Sequence, residues 1–250
     1  MKATEEMVDA TVDAGEIARF AAQAASWWDP AGSFRPLHRL NPARLLFIRD
    51  QLTAHFGRHA RSLTPFAGLT LCDIGCGGGL IAEPMARLGF AVSAIDADEA
   101  AIAVAHEHAA ASGLSIDYRS ETAESLAQEG RQFDVVLALE LIEHVADPAV
   151  LLTACAGLIK PGGVFIGATL NRTPQSFALA IVGAEYVMRW LPRGTHDWRR
   201  FMRPSEFALG LRRVGLQPTR LKGLRYRLAA GDWTLSDDLS VNYLVMAVKR

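Results

Sequence analysis

Residues 71 to 79 read Leu71-Cys72-Asp73-Ile74-Gly75-Cys76-Gly77-Gly78-Gly79, an apolar run containing one acid followed by a cluster of glycines. Glycines at a strand-to-helix turn let the backbone approach a ligand closely, because no Cβ stands in the way. A bare cluster of this kind also describes an ordinary tight turn. Three features raise it above that. Asp73 closes the run just before the glycines. The spacing is G-x-G-x-G through Gly75, Gly77 and Gly79, whereas the dinucleotide fingerprint needs glycine where Leu80 stands. Asp96 ends the next apolar run, about 20 residues on, where a carboxylate can receive both hydroxyls of a ribose. A ribose acceptor beside a turn poorly suited to pyrophosphate points to a nucleoside cofactor without phosphate, and S-adenosylmethionine is such a molecule. A nicotinamide-dependent oxidoreductase is the competing enzyme class, opposed by the missing third fingerprint glycine. A cofactor-binding protein without catalysis is the other alternative.

Further along, Glu140, Glu143 and His144 follow an apolar run, and helical spacing would put all three on one side. Two carboxylates and an imidazole could hold a divalent cation such as magnesium, which acts as a Lewis acid. The plainer reading is a solvated helix start, where acids are favoured by the helix dipole. His196, next to Asp197, is a second candidate base, because imidazole titrates near neutrality. Adjacent residues cannot easily pair, so its orienting acid would have to come from elsewhere.

These residues need a scaffold, and the pattern supplies one. Strands are expected over Leu69–Ile74, Ala91–Ile95, Ile116–Arg119, Val135–Leu139 and Val164–Ala168, closing near Gln217–Lys222 and Asn242–Val248. Helical segments alternate with them, including Ile81–Leu88 stopped by Gly89 and Glu99–Ala111 stopped by Gly113. Alternation of this kind implies βαβ units and a mostly parallel sheet with helices on both faces. Two helices precede the first strand, one over Val12–Trp27 and one opened by Asn41-Pro42 and running to His59. The expected organisation is an N-terminal helical cap over 1–60 and a cofactor-binding domain over 61–250, with an inserted lid near 174–198.

The chain has 250 residues, half of them hydrophobic, with a formal net charge of -1, so it can bury a large core and lacks a strongly basic phosphate-binding surface. No nucleic-acid partner is expected. Cys72, Cys76 and Cys155 lack paired metal-ligand spacing and read as free thiols in a reducing compartment. No secretory signal and no run of about 20 apolar residues is seen, so a cytoplasmic chain is expected.

The segment around the glycines resembles motif I of class I S-adenosylmethionine methyltransferases, and Asp96 matches the acid after their second strand. Phe133–Glu140 and Leu158–Gly163 resemble that family's later motifs. The resemblance implies a Rossmann-like class I methyltransferase fold with a seven-stranded sheet. A narrower likeness rests on Trp27-Trp28-Asp29-Pro30, Pro36-Leu37-His38, Asn41–Leu45, Glu143–Pro148, Thr169–Thr173 and Leu191–Trp198. Together these strings resemble the ubiquinone-biosynthesis O-methyltransferases, which methylate phenolic hydroxyls on polyprenylated rings at two steps of the pathway. The resemblance implies a cofactor site of Asp73, Gly75, Gly77, Asp96 and Leu139, with Arg44 clamping the methionine carboxylate through its planar guanidinium. Read without it, Arg44 is a solvated arginine on an amphipathic helix.

A phenol has a pKa of about 10, so the resemblance also calls for an activating base or metal: either Glu140, Glu143 and His144 around magnesium, or His196. The implied partners are a polyprenyl phenol or catechol, other enzymes of ubiquinone biosynthesis, and the inner membrane. Pro174 to Trp198 is the expected membrane contact. Its apolar body is flanked by Arg189, Trp190, Arg193 and Trp198, a composition that favours the headgroup boundary.

Overall fold

The structure, a computed structural model, describes residues 13–187 and 197–250. It begins with helix α1 (Ala14–Ala21), a short 3-10 turn (Ala24–Ser26) and helix α2 (Arg35–His55). Then come β1 (Thr70–Ile74), α3 (Ala82–Arg87), β2 (Ala91–Asp96), α4 (Glu99–Ala111), β3 (Asp117–Ser120), α5 (Ala123–Gln128), β4 (Phe133–Leu139), α6 (Pro148–Gly157) and β5 (Ile159–Leu170). A helical turn (Pro174–Ser176) continues as a π-helix (Phe177–Val187). Helix α7 (Pro204–Arg213) and strands β6 (Leu216–Arg227), β7 (Asp232–Ser236) and β8 (Asn242–Lys249) complete the described chain.

One sheet runs β3-β2-β1-β4-β5-β8-β6-β7. The first five strands in this order are parallel, and β8, β6 and β7 join antiparallel. Because strand side chains alternate between faces, the buried strands feed two separate cores. Leu71, Val135, Leu137 and Ile166 pack with Phe47, Ile48 and Leu52 of α2 and Met85 of α3. Cys72, Val136, Phe165 and Val245 pack with Leu126 of α5, Leu151 and Cys155 of α6 and Phe207 of α7. All three cysteines are buried free thiols.

The parallel strands fall where apolar runs predict them; three features differ. The sheet has eight strands in place of seven, because Asp232–Ser236 hydrogen-bonds to β6 at the edge. The second helix starts at Arg35, with Pro36 in its first turn, and Pro42 lies inside it. Pro42 has no amide hydrogen for the His38 carbonyl, but a helix can survive one lost bond when its face is buried, and Phe47, Ile48 and Leu52 bury that face. The first helix is also shorter than expected, ending at Ala21 before the 3-10 turn.

Candidate active site

The glycine turn leaves the C-terminal end of β1. Gly75, Gly77 and Gly79 hold φ of 71°, 51° and 88°, a region that L side chains adopt at a cost. The amides of Gly75 and Cys76 both donate to the Ile95 carbonyl, at 2.8 and 3.0 Å. The cap closes over this turn. A Cβ at Gly77 or Gly78 would overlap the Trp27 side chain. Trp27 stacks on Phe34 at 3.6 Å, and Trp28 Nε1 donates to the Gly78 carbonyl at 2.9 Å. The Trp-Trp pair is thus the clamp that holds the cap on the turn.

Asp96 ends β2 beside it. Its Oδ2 accepts from the Gly77 amide at 2.8 Å and its Oδ1 from the Asp98 amide at 2.9 Å. Burial pushes its carboxyl above the ordinary range despite these bonds. Asp73 is buried, and its Oδ2 has no hydrogen-bond partner. Burial and the nearby Asp96 charge lift its carboxyl to about 7. An orphaned buried carboxylate costs free energy unless something cationic completes it.

At the end of β4 the backbone turns abruptly. Glu140 has φ 52°, the one non-glycine residue at positive φ among the described residues. Positions 140–147 are turns, so the helical face that would have aligned Glu140, Glu143 and His144 does not form. Their side chains take separate partners. Glu140 Oε1 lies 2.6 Å from Arg44 Nη2. Glu143 points inward and accepts from Thr169 Oγ1 at 3.0 Å. His144 Nδ1 meets Glu16 Oε2 of α1 at 3.0 Å. The three side chains expected around magnesium thus meet different partners here, and among the described residues no group of three His, Cys, Asp or Glu is gathered closely enough to hold a metal ion.

Glu16 is the residue that sequence reasoning missed, since its contact spans 128 positions. Burial pulls His144 down, but the Glu16 bond and the Glu143, Glu16 and Glu140 charges outweigh it, leaving the imidazole above its usual range. Arg44 is buried, donates from Nη1 to Asn41 Oδ1 at 3.2 Å, and keeps an Nε without a hydrogen-bond partner. His196 lies outside the described residues, as do Arg189, Trp190 and Arg193.

One cavity of about 790 Å³ connects these groups. Arg44, Asp73, Gly75, Gly77, Asp96, Leu139, Glu140 and His144 all line it, joined by Asp13, Glu16 and Gln23 from the cap segment; Glu143 does not reach it. The residues present fit S-adenosylmethionine: a glycine cradle against which the ligand backbone-packs, an acid at the β2 end, and an unpaired carboxylate for a cationic group.

A Rossmann-like sheet with this turn and this acid defines a class I S-adenosylmethionine-dependent methyltransferase. Solved structures agree on the fold: magnesium protoporphyrin IX methyltransferase from Synechocystis PCC 6803 with bound SAH superposes with a TM-score of 0.56 at 19% identity, over 81% of this chain and 80% of that one. A SAM-dependent methyltransferase from Thermotoga maritima gives a TM-score of 0.62 at 16% identity, over 94% and 99%. Residues 72–167 match the methyltransferase domain family. Over 240 residues the chain is 56% identical to the ubiquinone biosynthesis O-methyltransferase of Dinoroseobacter shibae, covering 96% of this chain and 97% of that protein. It is 55% identical over 237 residues to that of Parvibaculum lavamentivorans, covering 95% and 94%. The chain belongs to the ubiquinone biosynthesis O-methyltransferases, and it is an S-adenosylmethionine-dependent enzyme.

Proposed function

We infer that the chain methylates phenolic hydroxyls of polyprenylated ubiquinone precursors, at both O-methylation steps of that pathway. The observation carrying this reading is a single cavity that joins the glycine turn to an imidazole and then to apolar walls. When bound, S-adenosylmethionine supplies a methyl carbon on a sulfonium sulfur. Asp96 is assigned to the ribose hydroxyls, since each carboxylate oxygen keeps acceptor capacity beyond its one amide bond. Asp73 Oδ2 is assigned to the ammonium group, and the Arg44 Nε–H to the methionine carboxylate. Gly75, Gly77 and Leu139 line the cofactor.

The phenol proton goes to His144. A carboxylate such as Glu16 can only accept, so the Nδ1 that meets it carries the hydrogen, and the neutral imidazole keeps its lone pair on Nε2. That tautomer is the one able to take a proton from a substrate oxygen.

A polyprenyl tail dissolves in the bilayer, so the reading includes a peripheral contact at the cytoplasmic face of the inner membrane through Pro174–Trp198. In support, Phe177, Leu179 and Val182 are exposed large hydrophobics on the π-helix. None of the described helices is long and apolar enough to cross a membrane. The deciding experiment for the activity is transfer of labelled methyl from S-adenosylmethionine to short-chain polyprenyl catechols. Turnover of these substrates is expected; folded, cofactor-binding protein that methylates none of them would refute the assignment.

A further inference from the structure

The strand order sorts the cavity chemically. On the β3-β2-β1 side the lining carries the acids Asp73, Asp96, Asp98 and Glu121, set among apolar residues such as Ile74 and Ile95. Glu140 and His144 follow β4, in the middle of the order. Beyond it, on β5, β6 and β7, the walls include Leu170, Leu224, Tyr226 and Trp233, with Arg225 and Asp238 as the charged residues there. From β1 to β6 the order crosses four strand spacings, ~19 Å at the usual separation. The far wall therefore lies well away from the glycine turn.

That wall is built by β7, the strand added at the sheet edge. The register sets Tyr226 opposite Trp233 and Leu224 opposite Leu235. The Tyr226 and Trp233 rings stand 5.4 Å apart, and Tyr226 Oη accepts from Arg39 Nη1 of α2 at 3.4 Å. α2 packs along β7. At the hairpin tip, Leu228 is 85% exposed yet borders the cavity. Leu179 of the π-helix, 51% exposed, borders it too. Two separate elements thus present unburied apolar side chains at one opening.

On β8, between β5 and β6 in the sheet order, Asn242 is 4% exposed and its Oδ1 has no hydrogen-bond partner. It lines the cavity beside Ser240, whose hydroxyl is taken by the Asp238 carboxylate. An unpaired buried acceptor is costly unless a ligand supplies a donor.

We propose that the part of the cavity beyond β4 is the site for an amphiphilic substrate, with Asn242 receiving a ring hydroxyl and the β6–β7 hairpin (Leu224, Tyr226, Trp233, Leu228) holding the apolar tail. The proposal rests on the phenol O-methyltransferase reading and adds where the two ends of that substrate go. It makes the edge hairpin, rather than the cofactor half, the determinant of tail-length preference.

The test uses the intact enzyme and catechols carrying no, one or three isoprene units. For each protein the readout is the ratio of kcat/KM for the longest to the tail-less substrate, which cancels any general loss. Wild type should gain with length, and Trp233→Gln should lose about tenfold of that gain. Leu228→Ser removes a side chain the fold does not bury and should reduce the gain by a smaller factor of ~2 to 5. Asn242→Ala should lower kcat/KM by about tenfold at every length and leave the ratio intact. Calorimetric binding of the same series in the presence of S-adenosylhomocysteine gives the ratio without turnover, so loss of the methylation reading would be seen separately. An unchanged ratio in both Trp233→Gln and Leu228→Ser, with cofactor affinity retained, overturns the hairpin site. Wild-type kcat/KM values in Asn242→Ala overturn the ring contact.

Discussion

Asp73 is a buried carboxylate with one unpaired oxygen, which a ligand bringing positive charge would complete, and the half-buried Asp96 stands beside it. Asp73 titrates at about 7 because burial, and then the Asp96 charge, oppose its ionisation. Below that pH it is largely protonated, and an ammonium group in contact favours the ionised form. Cofactor binding should therefore strengthen as pH rises towards 7 and release protons at a pH of about 6. Calorimetry in two buffers of different ionisation enthalpy measures that release; identical heats would remove the ammonium from Asp73. Asp96→Ala should weaken cofactor binding by about 1.5 to 3 kcal/mol, the range for hydrogen bonds to a charged group. Unchanged affinity in the folded variant would take Asp96 out of the ribose role. Gly77→Ala meets both a positive φ and the Trp27 side chain, so it should cost ~1 to 3 kcal/mol of stability, read from denaturant unfolding. These positions were legible in the sequence because glycine spacing and an acid 20 residues on express local backbone needs. The disposition of Glu140, Glu143 and His144 was not, since it depends on Glu140 leaving β4 at φ 52°.

Helix α1 and the residue just before it make two charged contacts with parts of the chain distant in sequence. Glu16 pairs with His144, and Asp13 Oδ2 accepts from Arg200 Nη2 at 3.0 Å. Glu16→Gln should lower kcat about tenfold with little change in cofactor affinity, because the amide no longer demands a hydrogen on Nδ1. Glu16→Asp should recover part of the loss. Equal kcat in Gln and wild-type proteins would leave His144 without an orienting acid. A sequence pattern cannot announce such a contact: α1 is short and amphipathic, and nothing in its spacing names a partner 128 residues away. β7 is a different case. Its five residues, Asp232 to Ser236, alternate polar and apolar side chains but are short and all half-buried, whereas β1 and β4 are dominated by buried apolar residues and declare themselves. Helix α2 was misjudged at its start for another reason: Pro42 reads as a first-turn proline, and only the packing of the helix against the sheet lets it sit inside.

In the molecule as a whole, one cavity joins the cofactor turn to the exposed side chains Leu179 and Leu228, and the proposed membrane contact is tested on that ground. Intact protein should co-sediment with anionic liposomes, and a deletion of Pro174–Trp198 that still binds cofactor should not. Equal sedimentation of the two would move the contact elsewhere. The clamp of Trp27 and Trp28 on the glycine turn has a further consequence. Cap and cofactor turn are joined by indole packing, a stacked Phe34, a stacked His108 and one indole hydrogen bond. Any displacement of the cap that lets the cofactor in or out must carry two indoles from protein into water within one event. The enzyme thus holds its own optical recorder: the emission colour of these tryptophans should follow the residence time of the cofactor, and stopped-flow traces should time each exchange without an added dye.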